Sequence, residues 1–321
     1  MTETYSQLIE KEIKRQKFGS EPASLYEPIR YLMSLGGKRL RPLLTVLAYQ
    51  LYRNDPGAVI KYAVAVEAFH NFTLMHDDIM DKAPLRRGKP TVHKKWNMST
   101  AILSGDVMLV KVYEMLLDIE DRKLRAVIKA FNRCATQVCE GQQWDMEFEK
   151  QTVTESQYLN MIKQKTAVLL GFSLELGGIL AGASESDCKL LREFGINIGI
   201  GFQLKDDLLD AYGDSRKFGK VVGGDIIANK KTFLLIKSLA LADRRQSKEL
   251  NHWLTVKRFN KSEKVSAVKE IYDSLSISNL TGNKINSFFK KGFKSLEKVD
   301  CSDKTKSVLR GYTMQLIERE S

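Results

Sequence analysis

The sequence predicts an all-α protein, and three observations carry that prediction. Leu, Ala, Ile, Lys and Glu fill long stretches broken by only six prolines in 321 residues, a balance that favours helix over sheet. Apolar residues recur at helical spacing in one segment after another. No segment shows the convincing apolar-polar alternation of a half-buried strand. With 43% hydrophobic and 28% charged residues, the chain has the make-up of an ordinary globular protein.

The first helical patterns cover about 4–18, 24–35 and 39–52. The next, about 58–81, contains YAVAVEAFHNFTLM (62–75), apolar around nearly its whole circumference. Such a helix belongs inside a core. Patterns at about 99–119, 122–149, 155–182 and 186–212 come next, then several weaker ones from 232 onward. NDPG (54–57), GASESD (182–187) and GDSRKFGKVVGGD (213–225) mark the turns. Gly195 and Gly199, one turn apart, predict close helix packing. No linker, composition break or repeat divides the chain, so residues 1–321 are expected to form a single domain.

The net charge is +12, and the residues from Lys230 onward hold 20 Lys/Arg against 10 Asp/Glu. Those lysines are spread through helical sequence, without the glycines and exposed aromatics of RNA readers. A solvated basic face is expected, not nucleic-acid binding; it is compatible with peripheral membrane contact. No apolar stretch is long enough to span a bilayer, and the N-terminal residues carry no secretory pattern. Cys134, Cys139, Cys188 and Cys301 form no C-x-x-C pair. They predict neither a zinc site nor a disulfide framework, and a reducing cytoplasm is the expected compartment.

One short element recurs. LMHDDIMD (74–81) is echoed by QLKDDLLD (203–210). Asp77 and Asp81 lie one helical turn apart on one face, as do Asp206 and Asp210. Asp78 and Asp207 sit about 100° around the helix and suit a supporting role. Like charges at that spacing repel, and a single motif is usually a solvated face. Two copies, each ending an apolar run, point instead to hard-oxygen ligation of Mg²⁺. Cations accompany them: Lys38 and Arg41 in GGKRLRP (36–42), Arg86 and Arg87 in RRGKPTVH (86–93), Lys165 beside Thr166, and Lys220 and Lys230 flanking GGD (223–225). Together they suit two phosphorylated groups, one held through metal and one by Arg and Lys alone. The glycines form neither a P-loop nor a dinucleotide-binding turn.

In combination and order, these motifs resemble those of the trans-polyprenyl diphosphate synthases, within the isoprenoid synthase superfamily. GGKRLRP, HDDIMDKAPLRRGKPTVH, SGD (104–106), EGQQWD (140–145), KT and GFQLKDDLLDAYGD carry the resemblance, over roughly residues 25 to 240. It implies an isoprenoid synthase fold, a helical bundle around a central cavity, and a homodimer. It implies Mg²⁺-dependent condensation of isopentenyl diphosphate with an allylic prenyl diphosphate. Asp77, Asp81 and Asp206 would hold three Mg²⁺ ions, with Mn²⁺ as a substitute. Arg86, Lys165, Lys220 and Lys230 would add charge around the allylic diphosphate, with Thr166 and Gln203 nearby. Lys38, Arg41, His70 and Arg87 would bind isopentenyl diphosphate. Asp78, Asp207 and Asp210 would stand behind the metal ligands.

Product length is expected to depend on the helix below Asp77. Thr73 lies one turn down and Phe72 about 7.5 Å down, and in the family an aromatic at this depth resembles a floor. With Phe72 and Phe69 aromatic and Thr73 not, the pattern looks like a geranylgeranyl enzyme, with farnesyl next. Phe72 and Phe69 would equally serve as ordinary core residues. Two other functions remain in view. A class I terpene cyclase would leave GGKRLRP unexplained and would show Asn/Asp-Ser/Thr-Glu where this chain has DDLLD. A non-catalytic partner subunit should have lost one acidic cluster.

Overall fold

A computed structural model describes residues 2–213 and 222–318. The helices are α1 (Thr2–Arg15), α2 (Ala23–Ser34), α3 (Leu40–Tyr49), α4 (Ile60–Met80), α5 (Val92–Lys95), α6 (Met98–Leu117), α7 (Asp121–Phe148), α8 (Glu155–Ile162), α9 (Val168–Ala181) and α10 (Glu185–Tyr212). Helices at Gly224–Ile227, Phe233–Leu241, Arg244–Thr255, Lys261–Ser274, Ile277–Glu297 and Asp303–Glu318 complete the described chain. The fold is all-α, as the periodicity predicts. No helix among the described residues is long and apolar enough to cross a membrane.

Two local features were not legible in the pattern. A two-stranded hairpin pairs Leu85 with Pro90 and Arg86 with Lys89. Its turn residues, Arg87 (φ 53°) and Gly88 (φ 74°), are both left-handed, the type I′ geometry that matches strand twist. Four strand residues are too few to leave an alternating signature. The expected 155–182 helix is also interrupted: Lys163–Ala167 winds as a π-helix between α8 and α9.

The described chain forms two compact units. The first comprises Met1–Cys134, Phe172–Arg192 and Val299–Leu309. Its centre is α4, where Val64, Val66, Ala68 and Phe69 are at most 1% exposed. Burying Phe69 is worth roughly 1.5–3 kcal/mol relative to exposure. α6 lies along α4, and Gly105 permits the approach: a Cβ there would collide with the His76 ring. Ser104 beside it donates to the Leu25 carbonyl at 2.8 Å. α4 stops where Lys82 turns left-handed (φ 52°) ahead of Pro84, a residue that disfavours helical backbone before it.

The second unit comprises Ala135–Gly171, Glu193–Lys298 and Arg310–Ser321. Leu234, Leu250, Val268, Ile271, Tyr272 and Ile277 build one of its apolar clusters. Two of its helices start on reciprocal caps, Thr154 with Gln157 and Asp243 with Gln246, which satisfy otherwise orphaned backbone donors. Gly195 and Gly199 meet the backbone of Leu170–Gly171 and of Ala167 so closely that no side chain fits. They bring α10 against the helix after the π-turn, the close packing their spacing predicts.

Candidate active site

In the first unit, GGKRLRP becomes a tight turn entering α3. Gly36 (φ 74°), Gly37 (φ 141°) and Arg39 (φ 45°) all carry positive φ. Side-chain contacts offset the strain of the left-handed backbone at Arg39. Only 4% exposed, it donates to Glu10 at 2.7 Å, Glu67 at 2.8 Å and the Met33 carbonyl at 2.7 Å. Glu67, 2% exposed, also accepts from Asn71. The network fixes the backbone between Lys38 and Arg41.

Lys38 is exposed and Arg41 part-buried. Arg41 Nη1 lies 3.1 Å from His70 Nε2. Burial, then the charges of Arg41, Arg87, Arg86 and Arg39, push the His70 pKa well below the usual imidazole range. His70 is therefore neutral, accepting from Arg41 on Nε2, which assigns the ring proton to Nδ1. Arg87 donates to the Gly36 carbonyl, and its guanidinium atoms come within 3.0–3.2 Å of where a Cβ on Gly37 would sit. Arg41, His70 and Arg87 thus gather at the turn that presents Lys38.

At the C-terminal end of α4, Asp78 is 2% exposed. It accepts both arms of the Arg86 fork, at 2.8 and 2.7 Å, a bidentate pair. Arg86, expected beside the allylic diphosphate, is thus partly committed to Asp78. Asp77 is part-buried and Asp81 exposed. His76 packs edge-on to Phe72, centroids 4.8 Å apart, and lies 3.9 Å from Asp106. Lower on α4, Phe72 meets Phe69 at 5.7 Å, and Phe69 meets Phe131 at 5.0 Å. The Thr73 hydroxyl donates to the His70 carbonyl.

In the second unit, the π-helical turn carries Lys165 and Thr166, a place where such wide turns often serve function. Lys165 donates to Asp145 of EGQQWD. Thr166 donates to Gln203 Oε1 at 3.3 Å, and Gln203 Nε2 donates to Asp207 at 3.2 Å. Tyr158 donates to the other Asp207 oxygen. Burial pushes the 4%-exposed Asp207 carboxyl up to about 7, against the lowering pull of Lys230 and of these hydrogen bonds. Asp206 is exposed and Asp210 part-buried. Asp210 accepts the Asp225 N–H at 2.8 Å, and Lys230 lies 3.6 Å from Asp225. Burial alone would lower Lys230; Asp225, Asp207, Asp145 and Asp210 outweigh it and hold the ammonium above its ordinary range. Lys220 lies outside the described residues.

The two motifs therefore share one design. In each, the second aspartate is buried and held by hydrogen bonds, while the first and last are more exposed. Arg39, Glu67 and Tyr158 were not singled out from sequence. Glu67 gave a usable signal, a carboxylate inside an apolar run; Tyr158 gave none.

The polyprenyl synthetase family model matches residues 22–274. A short chain isoprenyl diphosphate synthase of Methanocaldococcus jannaschii is 41% identical over 270 residues, 84% of this chain and 81% of that protein. A geranylgeranyl diphosphate synthase of Sulfolobus acidocaldarius is 38% identical over 292 residues, 89% of this chain and 88% of the relative. Among solved structures, a geranylgeranyl pyrophosphate synthase superposes with a TM-score of 0.95 at 42% identity, covering 100% of this chain and 99% of that one. The geranylgeranyl pyrophosphate synthetase of Pyrococcus horikoshii superposes at 0.92 and 33% identity, covering 99% and 97%. An acid motif buttressed in the same way on two helices, the cation-bearing turns and these matches agree: the chain belongs to the polyprenyl synthetase family and has its isoprenoid synthase fold.

Proposed function

We propose that the chain joins isopentenyl diphosphate head to tail (1′-4) to an allylic prenyl diphosphate, giving all-trans geranylgeranyl diphosphate and releasing diphosphate. The observation that carries this reading is the shared design of the two acid motifs, with Asp78 and Asp207 locked while the outer aspartates stay more open. The names of the relatives, several of them geranylgeranyl synthases, support the product length.

The donor set fits magnesium. Among the described residues, no group of three or more His, Cys, Asp or Glu side chains could hold a metal by itself. Mg²⁺ needs none, because it keeps waters and takes one or two carboxylates plus substrate phosphates. Asp77, Asp81 and Asp206 are the proposed ligands, for three ions, with Mn²⁺ as a substitute. Bound there, magnesium would draw negative charge from the departing diphosphate.

This chain's own residues do the rest. Lys165 and Lys230, with Thr166 and Gln203 behind them, stabilise the allylic diphosphate as its C–O bond breaks and its charge grows. Arg86 contributes from its seat on Asp78. Lys38, Arg41 and Arg87 hold isopentenyl diphosphate by charge-assisted hydrogen bonds, with neutral His70 orienting Arg41. The isopentenyl double bond then attacks the allylic cation, a carbon–carbon bond forms, and one proton leaves to the released diphosphate. Phe72 and Phe69 are the proposed floor for the growing chain, with Thr73 above them.

On this reading residues 1–321 act as one synthase domain, working in the cytoplasm as a homodimer; near-complete coverage of the matched structures supports the first point. The test is incubation with Mg²⁺, labelled isopentenyl diphosphate and farnesyl diphosphate, then chromatography. A twenty-carbon diphosphate is expected. No diphosphate release would overturn the synthase assignment, and a different chain length would overturn only the product.

A further inference from the structure

A cation-lined concavity lies within the first unit, built from none of the motif residues. The N-terminal half of α7, the end of α9 and the start of α10 line an open concavity of about 670 Å³. At its base, Glu175 is 6% exposed and holds two guanidiniums, Arg133 at 2.5 Å and Arg192 at 3.3 Å. Lys123 is fixed too, donating to the Leu180 carbonyl at 2.8 Å. Arg122, Arg125, Lys129 and Lys189 complete the cationic wall, and Glu185 is the other lining carboxylate. Seven cations and two carboxylates line it; Glu120, outside the lining, pairs with Arg122 at 2.7 Å and Lys123 at 3.5 Å, so the excess falls on Arg125, Lys129, Lys189 and the Arg133–Arg192 pair.

Even with these pairs the lining stays net positive, and a concave wall concentrates the field. The Glu175 anchor pre-orients two planar donor forks, the geometry that suits phosphate oxygens. Ala126, Ala130, Ile179 and Ala183 add apolar surface, and the volume exceeds that of a phosphate group alone. We propose that this cavity binds a phosphorylated ligand, its phosphates held between the Arg133–Arg192 pair and the exposed Arg125, Lys129 and Lys189, with any hydrocarbon portion on the alanines and isoleucine. Its source is either a soluble phosphorylated molecule or a phospholipid headgroup.

The test uses full-length protein in EDTA, which removes metal-held diphosphate. Wild type is compared with a triple variant, Arg125→Gln, Lys129→Gln and Lys189→Gln, whose replaced side chains are all exposed. Its turnover under standard assay should match wild type. Calorimetric titration with inorganic diphosphate should show one binding event weakened at least about tenfold in the variant. A parallel arm sediments both proteins with phosphatidylcholine vesicles, with and without phosphatidylglycerol. Loss of diphosphate binding identifies a soluble ligand. Loss confined to phosphatidylglycerol vesicles identifies a headgroup. Identical behaviour of the two proteins in both arms overturns the proposal.

Discussion

Arg86 grips Asp78 through two parallel hydrogen bonds, 2.8 and 2.7 Å long, so the hairpin after α4 is tied to the motif that precedes it. Arg86→Gln leaves a 2%-exposed carboxylate without its fork. The expected cost is about 3 kcal/mol of stability, because an uncompensated buried charge remains. Arg86→Lys should recover only part of it, since an ammonium cannot make both bonds. Urea unfolding measures both; equal stability of all three proteins would show that the pair is not structural.

Asp77→Ala and Asp81→Ala are expected to lower kcat by about a thousandfold or more while far-ultraviolet circular dichroism stays that of wild type. Both side chains stand at the more open end of α4, so the core loses little. Near-normal turnover in either variant would strike that residue from the proposed metal ligands.

Asp207 makes a pH prediction whose sign is set by the direction of its shift. Burial raises its carboxyl from 3.8 to about 7 in the folded protein, so the native state binds the proton more tightly than the unfolded chain. The stability this contributes is fully present below about pH 4 and lost as pH rises through about 7. Metal-free wild type should therefore lose Tm across that window relative to Asp207→Asn. Parallel Tm profiles from the two proteins would refute the shift.

Phe72→Ala should lengthen the product. The ring is 9% exposed, between Phe69 and His76, so its removal also costs about 3 kcal/mol of stability. Chromatography of the products decides: chains beyond twenty carbons are expected, and an unchanged distribution would place the floor elsewhere.

Much of the fold and of the candidate site was legible in the sequence because it is local. The apolar run of α4 and the aspartates at its end share one helix, so spacing alone reports their geometry. Gly195 and Gly199 were legible for the same reason. The Tyr158–Asp207 bond was not, because it joins positions 49 apart and nothing in the short amphipathic helix ESQYLNMI marks its tyrosine as having a buried polar partner. Arg39 was hidden differently: it sits inside a cationic motif where every neighbour looks like a ligand, and only its contacts with Glu10 and Glu67 separate support from binding. The hairpin and the π-turn depend on backbone angles that periodicity does not record.

The π-turn at Lys163–Ala167 has an implication for indels. Such a turn stores one surplus residue, and deleting a residue there would restore regular winding with α8 close to its present phase against α9, whereas the same deletion in regular helix on either side would rotate α8 by about 100°. The Tyr158–Asp207 bond and the Lys165–Asp145 pair span that point. A one-residue shortening at this point would therefore spare the packing of α8 and instead re-aim Lys165 and Thr166, which the turn carries, away from Asp145 and Gln203.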